Sequence, residues 1–319
     1  MTKKNNTQKK SNWRRLDGVL LFDKPLELSS NTGLQKVRRL FGAEKAGHTG
    51  TLDPLATGLL PICFGEATKF STALLDADKT YTALLRLGQT TTTGDAEGEI
   101  IAQLPVDFTQ AMLDVALSQF RGEIQQLPPM YSALKHQGRP LYDYIREGIT
   151  IERPLRNVVI HELVVNHWQG CEMEISVRCS KGTYVRTLAE DIGVALGCGA
   201  HLIGLRRTAI AHFKLLDAYT LDQLTDMSAE TRDACLYPLT SLMPHMPRLN
   251  LSEVQIKRMA QGQRLGIDTG LPDGKIGLYG PEGFVGVGLQ QGRRIAPERL
   301  LSNVAKLAAT IDPIEVVEQ

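Results

Sequence analysis

One aspartate in a turn-rich segment is the residue of this sequence best suited to do chemistry. Asp53 lies within residues 47–61, a segment that contains three glycines, two prolines and several threonines. Threonine hydroxyls can satisfy backbone groups where no regular secondary structure forms, and the proline after Asp53 biases its backbone toward an extended conformation. Such a loop can hold a carboxylate rigidly at the floor of a cleft. On composition alone, an aspartate that closes an Asx-turn is the alternative interpretation.

The elements that must position this loop are predicted to be mixed strands and helices. Short apolar or alternating runs predict strands over residues 17–23, 59–64, 80–87 and 173–179. Apolar residues at helical spacing predict helices over 34–41, 67–74 and 188–196, the first with N-cap candidates at Ser29, Ser30 and Asn31. Because there is no regular βαβ repeat, the pattern favours an α+β sheet domain over a doubly wound one.

The sequence predicts that the chain is divided into a basic arm, a large domain and a small domain. Residues 1–15 carry six Lys and Arg and no acidic residue, which predicts a disordered basic arm. Residues 16–242 form the large α+β domain. After Leu242, prolines and short glycine-separated segments between 276 and 295 predict a small β domain over 243–319.

The composition excludes several classes of protein. The chain has 42% hydrophobic and 22% charged residues, which is ordinary for a soluble globular protein. No apolar run reaches the roughly 20 residues of a membrane span, and the basic start has no secretory apolar region after it, so a cytoplasmic location is expected. The cysteines lack C-x-x-C pairs and zinc-site spacing, which predicts reduced thiols and no metal site; they are Cys63, Cys171, Cys179, Cys198 and Cys235.

The net charge of +1 does not by itself indicate nucleic-acid binding. A basic footprint would have to be local. The strongest basic clusters are the N-terminal arm, residues 36–39, residues 135–156, and the pair Arg206 and Arg207.

The loop around Asp53 closely resembles the signature of the tRNA pseudouridine synthase B family. Further segments resemble other motifs of that family, in the right order between Leu16 and Phe213. Ordered sets of motifs are far more specific than single ones. The matching segments are Leu-Phe-Asp-Lys-Pro at 21–25, Asp-Lys-Thr-Tyr at 78–81, Tyr-Ser-Ala-Leu-Lys at 131–135 with 138–141, Cys-Ser-Lys-Gly-Thr-Tyr-Val-Arg at 179–186, and His-Leu-Ile-Gly-Leu-Arg-Arg-Thr at 201–208.

The resemblance implies a fold and a reaction. The fold is a pseudouridine-synthase-like mixed-sheet catalytic domain with a small C-terminal β domain similar to PUA modules. The reaction converts the uridine at position 55 of the tRNA T loop from an N-glycosidic to a C-glycosidic link, with the base flipped into a pocket. The expected partner is the tRNA T arm, bound by a monomer without a cofactor, a metal or a membrane. An accompanying tRNA-folding activity is expected as well.

The resemblance also assigns the chemical step. Asp53 is the catalytic nucleophile, which attacks either the uracil ring or the ribose. It has to be ionised, and Arg186 is its expected positive partner.

The remaining site residues are expected around this pair. Tyr81 stacks on the base and takes part in proton transfer, while Tyr184 and Leu205 form pocket walls. His48 props open the T loop where the base has left. Lys24 and Pro25 shape the pocket floor and support the Asp53 loop.

Two features limit the resemblance, and two other functions remain open. Thr92 stands where many relatives have an acidic residue, so no direct role is expected for the loop 90–95, with Asp95 kept as an indirect support. The C-terminal domain resembles PUA modules only faintly.

A glycoside-type hydrolase would need a second carboxylate near Asp53, and residues 47–61 contain no other acid. A protein that only binds and refolds the tRNA elbow is the non-enzymatic alternative.

Overall fold

The computed structural model describes residues 13–132 and 134–307 of the chain. The strands in these ranges are β1 (Gly18–Lys24), β2 (Ala46–His48), β3 (Ala56–Phe64), β4 (Lys79–Leu87), β5 (Gln89–Thr91), β6 (Ile100–Gln103), β7 (Gly122–Gln126), β8 (Lys135–His136), β9 (Arg139–Pro140), β10 (Arg156–Gln169), β11 (Glu172–Cys179), β12 (Ala200–Ile210), β13 (Phe213–Lys214), β14 (Arg248–Asn250), β15 (Leu265–Gly266), β16 (Gly274–Gly280), β17 (Gly283–Gln291) and β18 (Arg294–Leu300).

The α-helices of the same ranges are α1 (Ser30–Leu40), α2 (Thr72–Leu75), α3 (Gln110–Ser118), α4 (Leu141–Arg146), α5 (Val185–Ala195), α6 (Leu221–Asp226), α7 (Ala229–Ala234), α8 (Glu253–Ala260) and α9 (Ser302–Leu307). Short 3-10 helices lie at Gly65–Phe70, Leu215–Asp217 and Leu239–Leu242. In the described part of the chain, no helix has the length and apolar character needed to cross a membrane.

Most of the strands form two large sheets. The first has nine strands in the order β1-β3-β12-β4-β11-β10-β7, with β2 beside β3 and β13 beside β12. Its neighbours are antiparallel, except that β3 and β12 run parallel. The second sheet has five strands in the order β14-β16-β17-β18-β15. A mixed sheet with helices packed on it and a C-terminal β sheet confirms the predicted α+β class.

Residues 18–22 of β1 are all apolar because both faces of the strand are buried there. Leu20 and Phe22 pack with α1 residues in one apolar cluster. Val19 and Leu21 face the opposite side and pack with Phe70 and other residues in a second cluster. A strand covered on both faces has no polar alternation, which is why this one is a continuous hydrophobic run in the sequence.

The two sheets are joined by an apolar cluster and a polar contact. Phe284 and Val287 of β17 belong to the same cluster as Val19 and Leu21 of β1. The Glu66 carboxylate accepts hydrogen bonds from the backbone N–H and hydroxyl of Ser302, the first residue of α9, at 2.7 and 2.8 Å. The carboxylate thereby satisfies a free N–H at the start of that helix.

Several local predictions are confirmed and others are wrong. Strands β1, β3, β4 and β11 and helices α1 and α5 coincide with predicted elements, and the Ser29 hydroxyl caps α1 through the Thr32 N–H at 3.1 Å. The helix predicted over 67–74 is instead a 3-10 turn, Gly65–Phe70, followed by the one-turn helix α2. Both turns direct apolar side chains into the cluster that contains Phe70, so helical spacing is met without a continuous helix.

The predicted N-terminal arm lies largely outside the described residues, as do residues 308–319 of the predicted C-terminal domain. The last residues of the arm are held in place by contacts. Arg14 donates its backbone N–H to the Gly42 carbonyl at the end of α1 and forms an ion pair with Asp233. The Arg38 guanidinium lies 4.5 Å from the ring centroid of Trp13.

Candidate active site

A cavity of 320 Å³ lies where the centre of the first sheet meets the start of α5. This volume is in the range of small-molecule binding sites. Five predicted site residues, drawn from four separate stretches of chain, line it: Asp53, Tyr81, Tyr184, Arg186 and Leu205. The other lining residues are Thr51, Leu52, Ala56, Ser132, Leu134, Thr183 and Val185.

The pairing of the central strands brings the apolar wall of this cavity together. Leu205 of β12 pairs with Ala56 of β3 on one side and with Ala83 of β4 on the other. Tyr81 lies two residues before Ala83, so its side chain is on the same face of β4. The tyrosine ring and Leu205 are therefore neighbours, although 124 positions separate them in the sequence.

Arg186 is the electrostatic centre of the site. Its Nη2 lies 3.0 Å from Oδ2 of Asp53, and its Nη1 lies 2.9 Å from Oδ2 of Asp95. The Asp53 side chain is 48% exposed, whereas that of Asp95 is 2% exposed. One guanidinium thus pairs with an accessible carboxylate at the cavity and with a buried carboxylate behind it.

Arg186 is also held by the backbone. It lies in the first turn of α5, so the positive end of the helix dipole is near Asp53 and favours its anion. The Arg186 Nη2 donates to the Tyr131 carbonyl at 2.6 Å. Carboxylates and a carbonyl on three sides fix the plane of the guanidinium.

The loop that carries Asp53 is anchored by hydrogen bonds from α1 and β12. Ser30 at the start of α1 accepts the Leu52 N–H and donates to the Leu52 carbonyl, both at 2.8 Å. Arg207 donates to the carbonyls of Leu59 at 2.7 Å and Gly50 at 3.3 Å. Gly58, at φ +100°, packs so tightly that a Cβ there would lie 2.4 Å from the Arg207 carbonyl oxygen, which leaves room for glycine alone.

Two lysines beneath the site are buried cations whose ammonium groups donate to backbone carbonyls. Lys24 Nζ donates to Pro25 at 2.9 Å and Leu28 at 2.6 Å, and Lys79 donates to two carbonyls at 2.6 Å. Burial lowers the pKa of Lys24 to about 8, against the attraction of Asp53, and likewise lowers the pKa of Lys79 to about 8.

Three family models match the chain from residue 38 onward. Residues 38–185 match the TruB family pseudouridylate synthase N-terminal domain, 186–244 the tRNA pseudouridylate synthase B C-terminal domain, and 247–301 the pseudouridine synthase II TruB C-terminal region. A protein of Methylobacillus flagellatus named tRNA pseudouridine synthase B is 54% identical over 290 residues, which cover 90% of this chain and 96% of that protein. The chain belongs to the TruB family of pseudouridylate synthases.

Other known proteins agree with this assignment. A Chromobacterium violaceum protein, also named tRNA pseudouridine synthase B, is 51% identical over 301 residues, which cover 93% of this chain and 98% of that protein. A solved structure described as an H/ACA RNP bound to a substrate RNA containing 2′-deoxyuridine has a chain that matches with a TM-score of 0.68. At 23% identity, with 94% of this chain and 93% of that chain covered, this match shows the fold. The TruB resemblance is confirmed, and the chain is a tRNA pseudouridine synthase.

The other residues expected from the TruB motifs lie around the cavity rather than in its lining. Lys24 ends β1 and Pro25 follows it, next to the strand that leads from the Asp53 loop. His48 ends β2 and is half-buried, and burial together with Arg207 lowers the pKa of its ring below its usual value. Burial raises the pKa of the Tyr81 hydroxyl, against the effect of nearby Arg207, and it also raises the pKa of Tyr184.

Some contacts at this TruB site were missed by sequence reasoning. The expectation that Arg207 belongs to a basic surface cluster is wrong, because its side chain lies beneath the Asp53 loop, where it donates to Leu59 and Gly50 and is 1% exposed. Ser30 was considered only as a helix cap. Asp95 was kept as an indirect support, and the ion pair with Arg186 had no local signal because 91 positions separate the two residues.

Proposed function

We propose that this pseudouridine synthase acts on the uridine at position 55 in the T loop of tRNA and uses Asp53 as its nucleophile. The observation that best supports the proposal is the Asp53 carboxylate, which is accessible at the cavity and paired with Arg186 at 3.0 Å. A buried or unpaired carboxylate would suit this role less well, because the first could not reach a substrate and the second would not stay ionised in a dry site.

Isomerisation breaks the bond between N1 of uracil and C1′ of ribose and forms a bond between C5 and C1′. The C5 hydrogen leaves as a proton and N1 gains one, so no atoms are gained or lost overall. Asp53 attacks either C1′, with the base as leaving group, or the uracil ring, and in both cases it divides a difficult step into easier ones. Arg186 stays paired with the Asp53 carboxylate and orients it until the covalent bond forms.

The base has to leave its stack to reach this carboxylate. Tyr81 and Leu205 supply a flat ring and an apolar wall against which uracil can pack, and Tyr184 adds a second tyrosine to the lining. Because the pKa of Tyr81 is raised, its hydroxyl keeps its proton at pH 7 and can donate a hydrogen bond. We assign His48, neutral at pH 7, to the gap that the base leaves in the T loop.

The remaining assignments follow from the same reaction. Residues 16–242 carry the catalysis and residues 243–319 bind RNA. No cofactor is needed, because isomerisation transfers neither electrons nor groups to a third molecule. The protein is expected to work as a cytoplasmic monomer, and to help tRNA fold because flipping a base opens the T loop.

The proposal is tested with Asp53→Asn, which keeps the shape and removes the charge. A tRNA transcript with tritium at C5 of uridine should release no label with this variant, while tRNA affinity stays within a few-fold. Asp222→Asn, the same change at an exposed residue of helix α6, is the matched control and should behave as the unchanged chain. Substantial release by Asp53→Asn contradicts the nucleophile.

Analysis of the reaction products tests the assigned position and distinguishes isomerisation from hydrolysis. Reverse transcription of carbodiimide-labelled tRNA should stop next to position 55, and a stop only elsewhere contradicts the assigned position. Isomerisation leaves the product mass unchanged, whereas a hydrolase would release uracil. Asp95 is not available as the second carboxylate that a hydrolase would need, because it is buried and paired with Arg186.

A further inference from the structure

Gln126, the last residue of β7, links this strand to the start of α5. Its side chain is buried, with a residue exposure of 2%. Its Oε1 accepts the Tyr184 N–H at 3.0 Å, and its Nε2 donates to the Tyr184 carbonyl at 3.3 Å. We propose that Gln126 is a positioning residue for the isomerisation, which acts through Tyr184 and Arg186. The proposal rests on the roles proposed above for Asp53 and Arg186.

Helix α5 depends on this contact because its own first residues do not cap it. Tyr184 is the N-cap residue, and its side chain makes no capping hydrogen bond. The Gln126 amide instead fixes the backbone at the cap from outside the helix. Arg186 follows two residues later in the first turn, so a shift or rotation at Tyr184 moves the guanidinium that pairs with Asp53.

The backbone of Gln126 lies immediately before a segment that contributes to the lining of the cavity. Gln126 pairs with Arg156 of β10 where residues 127–155 leave and rejoin the sheet edge. From this segment, the Tyr131 carbonyl accepts a hydrogen bond from Arg186 and Ser132 lines the cavity. The start of α5 is therefore held at two points, by Gln126 at the end of β7 and by the Tyr131 carbonyl of the segment that follows it.

This arrangement predicts a loss of rate without a loss of binding. Gln126 does not line the cavity, so it touches no bound base. A misplacement of about 1 Å at a reacting group can cost on the order of 100-fold in rate. We expect Gln126→Met, which keeps the length and removes both hydrogen bonds, to lower the single-turnover rate at saturating tRNA by about tenfold to 100-fold. The dissociation constant for tRNA should change by less than about threefold.

The neighbouring residue offers a matched control. Gln125 lies on the same strand with its side chain exposed, where it donates to Asn157 at 3.3 Å. Gln125→Met should leave the rate and affinity unchanged. The measurement is tritium release from tRNA labelled at C5 of uridine, with the full-length chain in excess over tRNA and thermal melts of each variant.

A double variant tests whether the effect passes through Arg186. If it does, adding Gln126→Met to Arg186→Met should lower the rate by less than about twofold beyond Arg186→Met alone, because coupled residues are not additive. Losses that multiply in full would overturn the proposal. So would a Gln126→Met rate within twofold of the unchanged chain, or a rate loss explained by weaker tRNA binding.

The design also covers a Gln126 variant that does not fold and a failure of the proposed nucleophile. If Gln126→Met does not fold, Gln126→Asn, which keeps an amide but draws it back by one carbon, takes its place with the same expected results and the same limits. If Asp53→Asn still releases tritium, the proposed nucleophile fails. If Asp53→Asn is inactive while the Gln126 variant is normal, only the positioning role fails.

Discussion

Replacing Arg186 should affect stability and catalysis through two different carboxylates. In Arg186→Met, Asp95 stays buried without its cation, and breaking a buried pair in this way typically costs about 3–5 kcal/mol of unfolding free energy. Asp53 is half-exposed, so water compensates much of its loss in the ground state. The stability cost should therefore arise mainly at Asp95.

The catalytic cost should arise at Asp53. At an effective dielectric constant of about 20, unit charges 3.0 Å apart attract by about 5 kcal/mol. Discounting this by about half for the exposure of Asp53 leaves about 2–3 kcal/mol that holds the carboxylate in place. Without it the carboxylate can shift, and a misplacement of about 1 Å at a reacting group can cost on the order of 100-fold in rate.

A second substitution separates the two effects. Arg186→Met with Asp95→Asn removes the buried charge, so it should recover most of the lost unfolding free energy while the rate stays low. Urea unfolding and tritium release under saturating tRNA measure the two quantities on the same samples. A double variant as unstable as Arg186→Met, or one with restored activity, would refute the assignment of stability to Asp95 and of catalysis to Asp53.

Three other outcomes are expected. His48→Ala should raise the activation free energy on folded tRNA by about 1–3 kcal/mol, the contribution of one stacking contact. On an isolated, open T-loop fragment the loss of rate should be much smaller. Equal defects on both RNAs would exclude the propping role. The free energy of unfolding should rise between pH about 8 and 9. The reason is that the pKa of Lys24 and of Lys79 is lowered to about 8 in the folded chain, so the unfolded chain binds more protons in this range. Urea titrations of Lys79→Met should show about half this slope with pH, and an unchanged slope contradicts the assignment. Deleting the residues after Leu242 should lower the melting temperature measured by calorimetry, because it removes Phe284 from the apolar cluster shared by the two sheets. An unchanged melting temperature would show that this cluster contributes little to the stability of the large domain.

The sequence predicts the elements of this fold well where local pattern decides them. Continuous apolar runs predicted β1 and β3, and alternation predicted β4 and β11, because burial on two faces or on one leaves a direct trace in the residue types. The motifs also pointed to Asp53 and Arg186, and the structure brings these two residues together.

The contacts that support the site could not be predicted in the same way. Asp95 and Gln126 meet Arg186 and Tyr184 only because distant strands pair, and no local pattern records a partner 91 or 58 positions away. Arg207 was misassigned because two adjacent arginines resemble a solvated surface, whereas the sheet buries the second beneath the Asp53 loop.

The parallel pairing of β3 with β12 has a consequence for how this molecule is made. β12 lies between β3 and β4 in the sheet, yet it follows β4 by more than one hundred residues in the chain. During synthesis, β3 and β4 leave the ribosome long before the strand that must come between them. Such non-local pairing is slow to form and leaves strand edges exposed to aggregation. The wall formed by Tyr81 and Leu205 cannot assemble until nearly two-thirds of the chain has been translated, so a nascent chain stalled before β12 has the Asp53 loop but no complete cavity.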